Sequence, residues 1–212
     1  MSRTLIFGAA GTGRDIVDWL PELRTAGRGF EIAGFLDDDP AKQGTTVAGL
    51  PVLGTLGDLS RFGDATLVDA LGSPRSWRER AGRLAGIRDD RFVTLIHPLA
   101  RISSDASIGA GSLIYPFTFV GPGVTVGRHV TVLSHCSLNH DARVGDFSIL
   151  ASHVALGGGV GIGAGCYVGM RAAVRERIQV GSGAMIGMGS VVTAAVAANT
   201  TVTGVPARPF GR

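Results

Sequence analysis

The sequence predicts two structural classes in one chain: a small, mostly parallel α/β unit in residues 1–96 and a parallel β-helix in residues 97–212. Three observations predict it. Charge is unevenly distributed, with 12 basic and 13 acidic residues in 1–100 but only 8 and 4 in 101–212. Aliphatic residues recur at every sixth position through the second part, whereas the first part opens on a short apolar run followed at once by a glycine-rich turn. Glycine supplies 33 of 212 residues, roughly twice the ordinary share of about 7%, without the strict triplet repeat of collagen. With 45% hydrophobic residues the chain can bury a core.

In the first part, Thr4–Phe7 is predicted as a strand and Gly8-Ala9-Ala10-Gly11-Thr12-Gly13 as a turn. Asp15–Leu23, apolar at Ile16, Val17, Trp19 and Leu20, is predicted as a helix. A second strand, Phe30–Leu36, ends in Asp37-Asp38-Asp39-Pro40. A third, Ala65–Leu71, ends in Gly72-Ser73-Pro74 before a helix over Arg75–Leu84. The boundary is placed near His97-Pro98, because proline disfavours helix in the residue before it. The glycine turn, with Gly8, Gly11 and Gly13 between strand and helix, suits a phosphate at a helix N-terminus, and the aspartates ending the second strand could meet a ribose. The other reading is a plain strand-to-helix turn. The unit is too short for a full dinucleotide fold.

In the second part, stepping by six from Ile102 to Ala198 visits seventeen positions, sixteen of them Ile, Leu or Val, without one insertion. Period six belongs to neither a helix nor an ordinary strand. Three hexads complete one coil of a parallel β-helix, so each aliphatic residue stacks on the one 18 residues away at about the 4.8 Å strand spacing. The place four residues after each aliphatic holds a small or medium side chain, including Cys136 and Cys166. Two such cysteines predict buried thiols, not a disulfide framework or a zinc site. Glycine follows the aliphatic in nine hexads; corners, where backbone angles are awkward for a side chain, are the expected reason.

A net charge of +3 with scattered basic residues and 6% aromatics argues against nucleic-acid binding. No apolar run nears 18 residues, and Met1-Ser2-Arg3 runs directly into the first strand, so a soluble cytoplasmic protein without a membrane span is expected.

A β-helix core has no reactive groups, so chemistry must come from outward polar residues. Histidine suits proton transfer near neutral pH. His129, His135 and His153 share the fourth place of their hexads, with His135 and His153 one coil apart, and composition predicts all of the histidines as solvated. His140 stands alone at the third place beside Asp141, a carboxylate that can raise imidazole basicity or fix its tautomer.

The hexads, His97-Pro98-Leu99-Ala100, the element Asn139-His140-Asp141-Ala142-Arg143-Val144-Gly145-Asp146-Phe147 and the ending Val202-Thr203-Gly204-Val205-Pro206-Ala207 together resemble the left-handed β-helix acyltransferases. With Gly8–Gly13 and Phe35-Leu36-Asp37-Asp38, the resemblance narrows to the bacterial UDP-amino-sugar N-acetyltransferases and sialic acid O-acetyltransferases, over almost the whole chain. It implies a Rossmann-like unit for the acceptor, a left-handed β-helix, and a homotrimer with acetyl-CoA in a groove between adjacent β-helices. No metal is implied. His140 is then the general base and Asp141 its support. Gly157 and Gly158 lie near the thioester, with the Gly158 N–H facing the oxyanion, and the backbone of Met170, Gly187 and Met188 follows the pantetheine arm. Gly8, Gly11, Thr12, Gly13, Asp37 and Asp38 face the nucleotide part of a nucleotide-linked amino sugar. Members commonly carry histidine where Thr12 stands and often a second one where Ile149 stands. Acylation of a sugar hydroxyl, a non-catalytic scaffold, and a β-helix carbonic anhydrase using three histidines around a metal are the competing readings.

Overall fold

The computed structural model of the chain describes residues 3–72 and 77–211. The first part is a five-stranded sheet of β1 (Thr4–Phe7), β2 (Ile32–Leu36), β3 (Thr46–Val47), β4 (Leu50–Gly54) and β5 (Thr66–Asp69), in the order β3-β4-β2-β1-β5. All pairs are parallel except β3 with β4. Strand β2 is two residues shorter at its start than the apolar run predicts, and the β3–β4 hairpin carries no strong period-two signal. The predicted single helix is two, α1 (Gly11–Asp18) and α2 (Leu20–Thr25). Pro21 explains the break, since it has no N–H to give to Val17 and its ring crowds that carbonyl. Of the helix expected over Arg75–Leu84, Arg75 and Ser76 lie outside the described residues, as do Ser73 and Pro74. The rest of that segment forms a 3-10 turn at Trp77–Glu79 and a short helix, α3 (Arg80–Arg83).

The second part is a three-faced parallel β-helix. Its first face begins at Leu95–Ile96, which pairs with Leu113–Ile114, and continues through Thr131–Val132, Ile149–Leu150, Tyr167–Val168 and Met185–Ile186 to Thr201–Gly204. The second face runs from Arg101–Ile102 to Val191–Val192 and the third from Ser107–Ile108 to Gln179–Val180. Register steps are 18 residues through the stack, Val120 pairing with Leu138, Leu138 with Leu156 and Leu156 with Val174. The last coil is two residues shorter: Ile186 pairs with Val202 and Val180 with Val196, so Val196 is buried and Ala198, the seventeenth position of the period-six series, is exposed. The period-six aliphatics fill the axis, with Cys136 and Cys166 buried among them. Burial pushes the Cys136 thiol up to about 12, so it packs as a small apolar side chain.

Glycine is structural here for a reason other than the one expected. The corner positions, three residues after each aliphatic, do adopt φ between 54° and 70°, yet eight of them, from Phe117 to Arg177, carry side chains and only six are glycine. The glycine directly after the aliphatic has no positive φ. A Cβ there would instead strike the next coil: at Gly145 it would stand 2.5 Å from the Ala164 nitrogen, and at Gly163 2.5 Å from that of Ser182. These glycines let successive turns stack.

The α/β unit covers the first face. Leu95, Leu113 and Tyr115 join Ile6, Ile16, Trp19 and Phe35 in one apolar cluster, while Phe92 and Phe147 pack in a second.

Candidate active site

The corner between the second and third faces turns at residues 123, 141, 159 and 177. Asp141 takes the left-handed conformation there (φ 61°). Consecutive strand residues point to opposite sides, but this turn swings the Asp141 carboxylate back onto its neighbour, and Oδ2 lies 2.9 Å from His140 Nδ1. Two glycines make room for the pair. A Cβ on Gly123, one coil before, would lie 2.7 Å from Asp141 Oδ1, and a Cβ on Gly158, one coil after, would lie 2.4 Å from His140 Nε2. The imidazole therefore lies over the bare Gly158, with Nδ1 engaged by Asp141 and Nε2 open. The Gly158 carbonyl accepts from the Arg177 N–H at 2.9 Å, whereas its own N–H has no partner among the described residues. A free amide beside an open imidazole nitrogen can meet an oxyanion while the imidazole takes a proton. Gly157 differs: a Cβ there would meet the Glu176 backbone, which makes it a stacking glycine.

His140 and Asp141 are 69% and 74% exposed. Met170, Gly187 and Met188 follow the first-face strands Tyr167–Val168 and Met185–Ile186, so they line the corner between the first and second faces. Within one chain they share no corner with His140. That other corner also carries His135 and His153, whose rings stack at 4.8 Å with Phe117 above them. No group of three or more His, Cys, Asp or Glu that could hold a metal occurs among the described residues.

His129 departs from the expected solvated histidine. It is 2% exposed, because its corner lies beneath Phe92 and beside Phe147, and its Nδ1 is 3.2 Å from Asp69 Oδ2. Arg80 NH2 donates to the same carboxylate oxygen at 2.8 Å and to the His129 carbonyl at 2.9 Å. Burial opposes the charge of Asp69, but Arg80 and His129 outweigh it and hold the carboxyl below the usual carboxylate range. His97 is also buried; Nε2 meets Glu22 at 2.6 Å and Nδ1 accepts from the Leu99 N–H.

At the carboxyl ends of the sheet strands, the glycine loop joins β1 to α1. Gly8 (φ 111°) lies against the Ala70 carbonyl, and a Cβ on Gly13 would stand 2.1 Å from the Gly8 carbonyl oxygen. Gly11 faces open space, and Ala10 caps α1 without a side-chain hydrogen bond. The α1 amides are thus open to an anion. Asp37 turns inward: Oδ2 accepts from the Ala9 N–H at 2.7 Å and from Lys42 at 2.8 Å, and Oδ1 from the Asp39 N–H. Burial raises its carboxyl, but the Lys42, Asp39 and Ala9 bonds together hold it below the ordinary value. Asp38 is more exposed; it accepts from the Leu56 N–H and lies 3.6 Å from Arg83. Open depressions beside these loops are lined by Gly11, Arg14 and Asp15, and by Asp38, Gly57 and Arg83. A larger one, between Arg3, Leu53 and Asp64, lies at the amino ends of the strands, away from the loops.

A three-faced β-helix with a carboxylate-backed imidazole at one corner is the architecture of a β-helix acyltransferase. No family model and no curated protein matches the chain. Solved structures do. The acetyltransferase domain of PglB from Neisseria gonorrhoeae, bound to acetyl coenzyme A, is 30% identical over 98% of each chain, with a TM-score of 0.83. A GDP-perosamine N-acetyltransferase from Caulobacter crescentus, a variant with one histidine changed to alanine and bound to CoA and GDP-perosamine, is 26% identical over 100% of this chain and 98% of its own, with a TM-score of 0.86. WeeI from Acinetobacter baumannii, 23% identical over 99% of this chain and 100% of its own at a TM-score of 0.59, shares the fold. The chain belongs to the left-handed β-helix sugar N-acetyltransferases, enzymes that take the acyl group from acyl-CoA.

Proposed function

We propose that the protein transfers the acetyl group of acetyl-CoA to an amino group of a nucleotide-linked amino sugar, with His140 as general base. The observation that carries this reading is the His140–Asp141 pair set over Gly158. Asp141 fixes the imidazole with Nε2 outward. As the neutral amine attacks the thioester carbonyl, Nε2 takes one of its protons, the C–N bond forms, the C–S bond breaks, and the proton passes to the departing CoA sulfur. The Gly158 N–H meets the oxyanion formed on the way. A positioned base of this kind supplies about 10²–10⁴-fold. The N-acetyltransferase from Caulobacter, solved with CoA and GDP-perosamine, supports an amino-sugar acceptor.

The 1–96 unit, Rossmann-like in its glycine loop, takes the nucleotide: Gly8, Gly11, Thr12 and Gly13 cradle phosphate at the start of α1, Asp38 faces the base or ribose, and Asp37 holds the loop in shape. Residues 97–212 carry acyl transfer. We place the working form as a homotrimer, because His140 is open to water in one chain while Met170, Gly187 and Met188 stand across the second face from it. Exposed apolar side chains, Leu99, Phe117, Phe119, Met170 and Met188, follow that far corner. A neighbouring copy seated there closes an acetyl-CoA groove and excludes water. Free buried cysteines and the use of acetyl-CoA fit the cytoplasm, and no described helix is long and apolar enough to cross a membrane.

The test is acetyl transfer from acetyl-CoA to a panel of GDP-, UDP- and dTDP-amino sugars by wild type and His140→Ala. Turnover of at least one amine, lost in the variant with the fold intact, is the expected result; a fully active His140→Ala refutes the assignment. Transfer to hydroxyl sugars alone would favour the O-acetyl reading.

A further inference from the structure

Among the polar ties between the β-helix and the α/β unit, two bear on loops at the acceptor side. The first is Tyr115, which follows the first-face strand Leu113–Ile114. It is 5% exposed and packs edge-on against Trp19 at 4.4 Å. Its phenol donates to Asp15 Oδ2 at 3.0 Å, one turn into α1, the helix that the glycine loop opens. Burial, and then the Asp15 carboxylate, push the phenol well above its ordinary value, so it remains a donor throughout the neutral range.

The second tie is Asp69, the last residue of β5. Oδ2 holds Arg80 and His129, and Oδ1 accepts the Leu71 N–H at 3.1 Å. That bond shapes Ala70–Gly72, whose ends touch the glycine loop: the Ala70 carbonyl lies against Gly8, and a Cβ on Gly72 would stand 2.7 Å from Thr12 Oγ1. One fully buried carboxylate thus links a β-helix corner, α3 and the loop beside the acceptor.

Neither tie is needed merely to join the two parts, because the apolar seam does that. A buried ion cluster is a costly way to gain stability and is often matched by apolar side chains. What it adds is direction. We propose that Tyr115 and the Asp69–Arg80–His129 cluster are positioning residues that hold the glycine loop and Ala70–Gly72 in a set place on the β-helix, and so fix where the acceptor amine stands for acyl transfer. The proposal rests on the acceptor reading above. Displacement by about 1 Å is enough to cost such a reaction on the order of 100-fold.

The experiment is steady-state kinetics of Tyr115→Phe and Asp69→Asn with acceptor and acetyl-CoA varied separately, beside thermal melting. Tyr115→Phe keeps the packing on Trp19 and is expected to fold. Its acceptor KM should rise about tenfold, the loss of about 1.4 kcal/mol, with kcat falling and the KM for acetyl-CoA unchanged. Asp69→Asn should move the same parameters in the same direction. Unchanged acceptor KM in a folded Tyr115→Phe, or equal rises in both KM values, overturns the proposal, and this variant decides alone if Asp69→Asn does not fold. A wild type that acetylates no nucleotide amino sugar would overturn the acceptor reading as well. A fully active wild type with unaltered variants overturns only the ties.

Discussion

The aim of His140 is set less by its own backbone than by glycines one coil to either side of the His140–Asp141 pair. Gly158 gives the imidazole its seat and Gly123 gives Asp141 its own. Gly158→Ala should therefore push the ring off Asp141 and reduce kcat by roughly 10- to 100-fold, with melting temperature little changed; the displacement is of the size that orientation effects punish. Near-wild-type kcat would show that the imidazole is not held there. His140 and Asp141 were legible because they are adjacent and break the register of the other histidines. The part of Gly123 was not, since a glycine at a corner looks alike whether it relieves φ or clears space for a carboxylate one coil away. His129 was misjudged for a related reason: its place in the hexad matches that of the exposed His135, and only the α/β unit lying over its corner buries it.

At the level of the coil, the two kinds of glycine should respond differently to the same substitution. Gly145→Ala drives a methyl group into the next turn, and overpacking of this kind costs about 1–3 kcal/mol. Gly189→Ala meets nothing within 4 Å and strains only a φ of 68°, a cost of about 1–2 kcal/mol. Denaturant melts of the two variants should rank Gly145→Ala as the less stable, although its φ is ordinary; the reverse order would restore the corner explanation. The β-helix strands were readable to the residue as far as Val192, because one aliphatic in six fixes both inside and outside; past it the period slips by two, with Val196 inside in place of Ala198. The α/β unit was less so. Pro21 splits a helix whose apolar spacing runs through the break, and β3 and β4 are short segments whose pairing is decided by contact with β2.

Across the whole molecule, Asp37 and Asp69 tie loop to strand and strand to β-helix, and both carboxyls are held below the ordinary value. Such groups bind fewer protons folded than unfolded in the acid range. Their contribution is fully present above the unfolded value of about 3.9 and is lost as pH falls from there through their folded values. Melting temperature should hold near neutral pH and drop steeply below about pH 4, and Asp37→Asn should flatten that drop; an unchanged acid limb would mean that other carboxylates govern it. Sedimentation or light scattering should give the mass of three chains, and a monomer that turns over at full rate would refute a groove shared between copies.

The last coil raises a separate matter. A stack of parallel strands offers unpaired N–H and C=O groups at both ends, a template on which further chains can grow. Here Thr201–Gly204 turns back on itself and pairs antiparallel with Ala207–Pro209, while Leu95 at the opposite end lies under the apolar cluster of the sheet. The first face is thereby made finite: a ladder that could grow end to end is stopped there at one end by a reversal of direction and at the other by a change of fold.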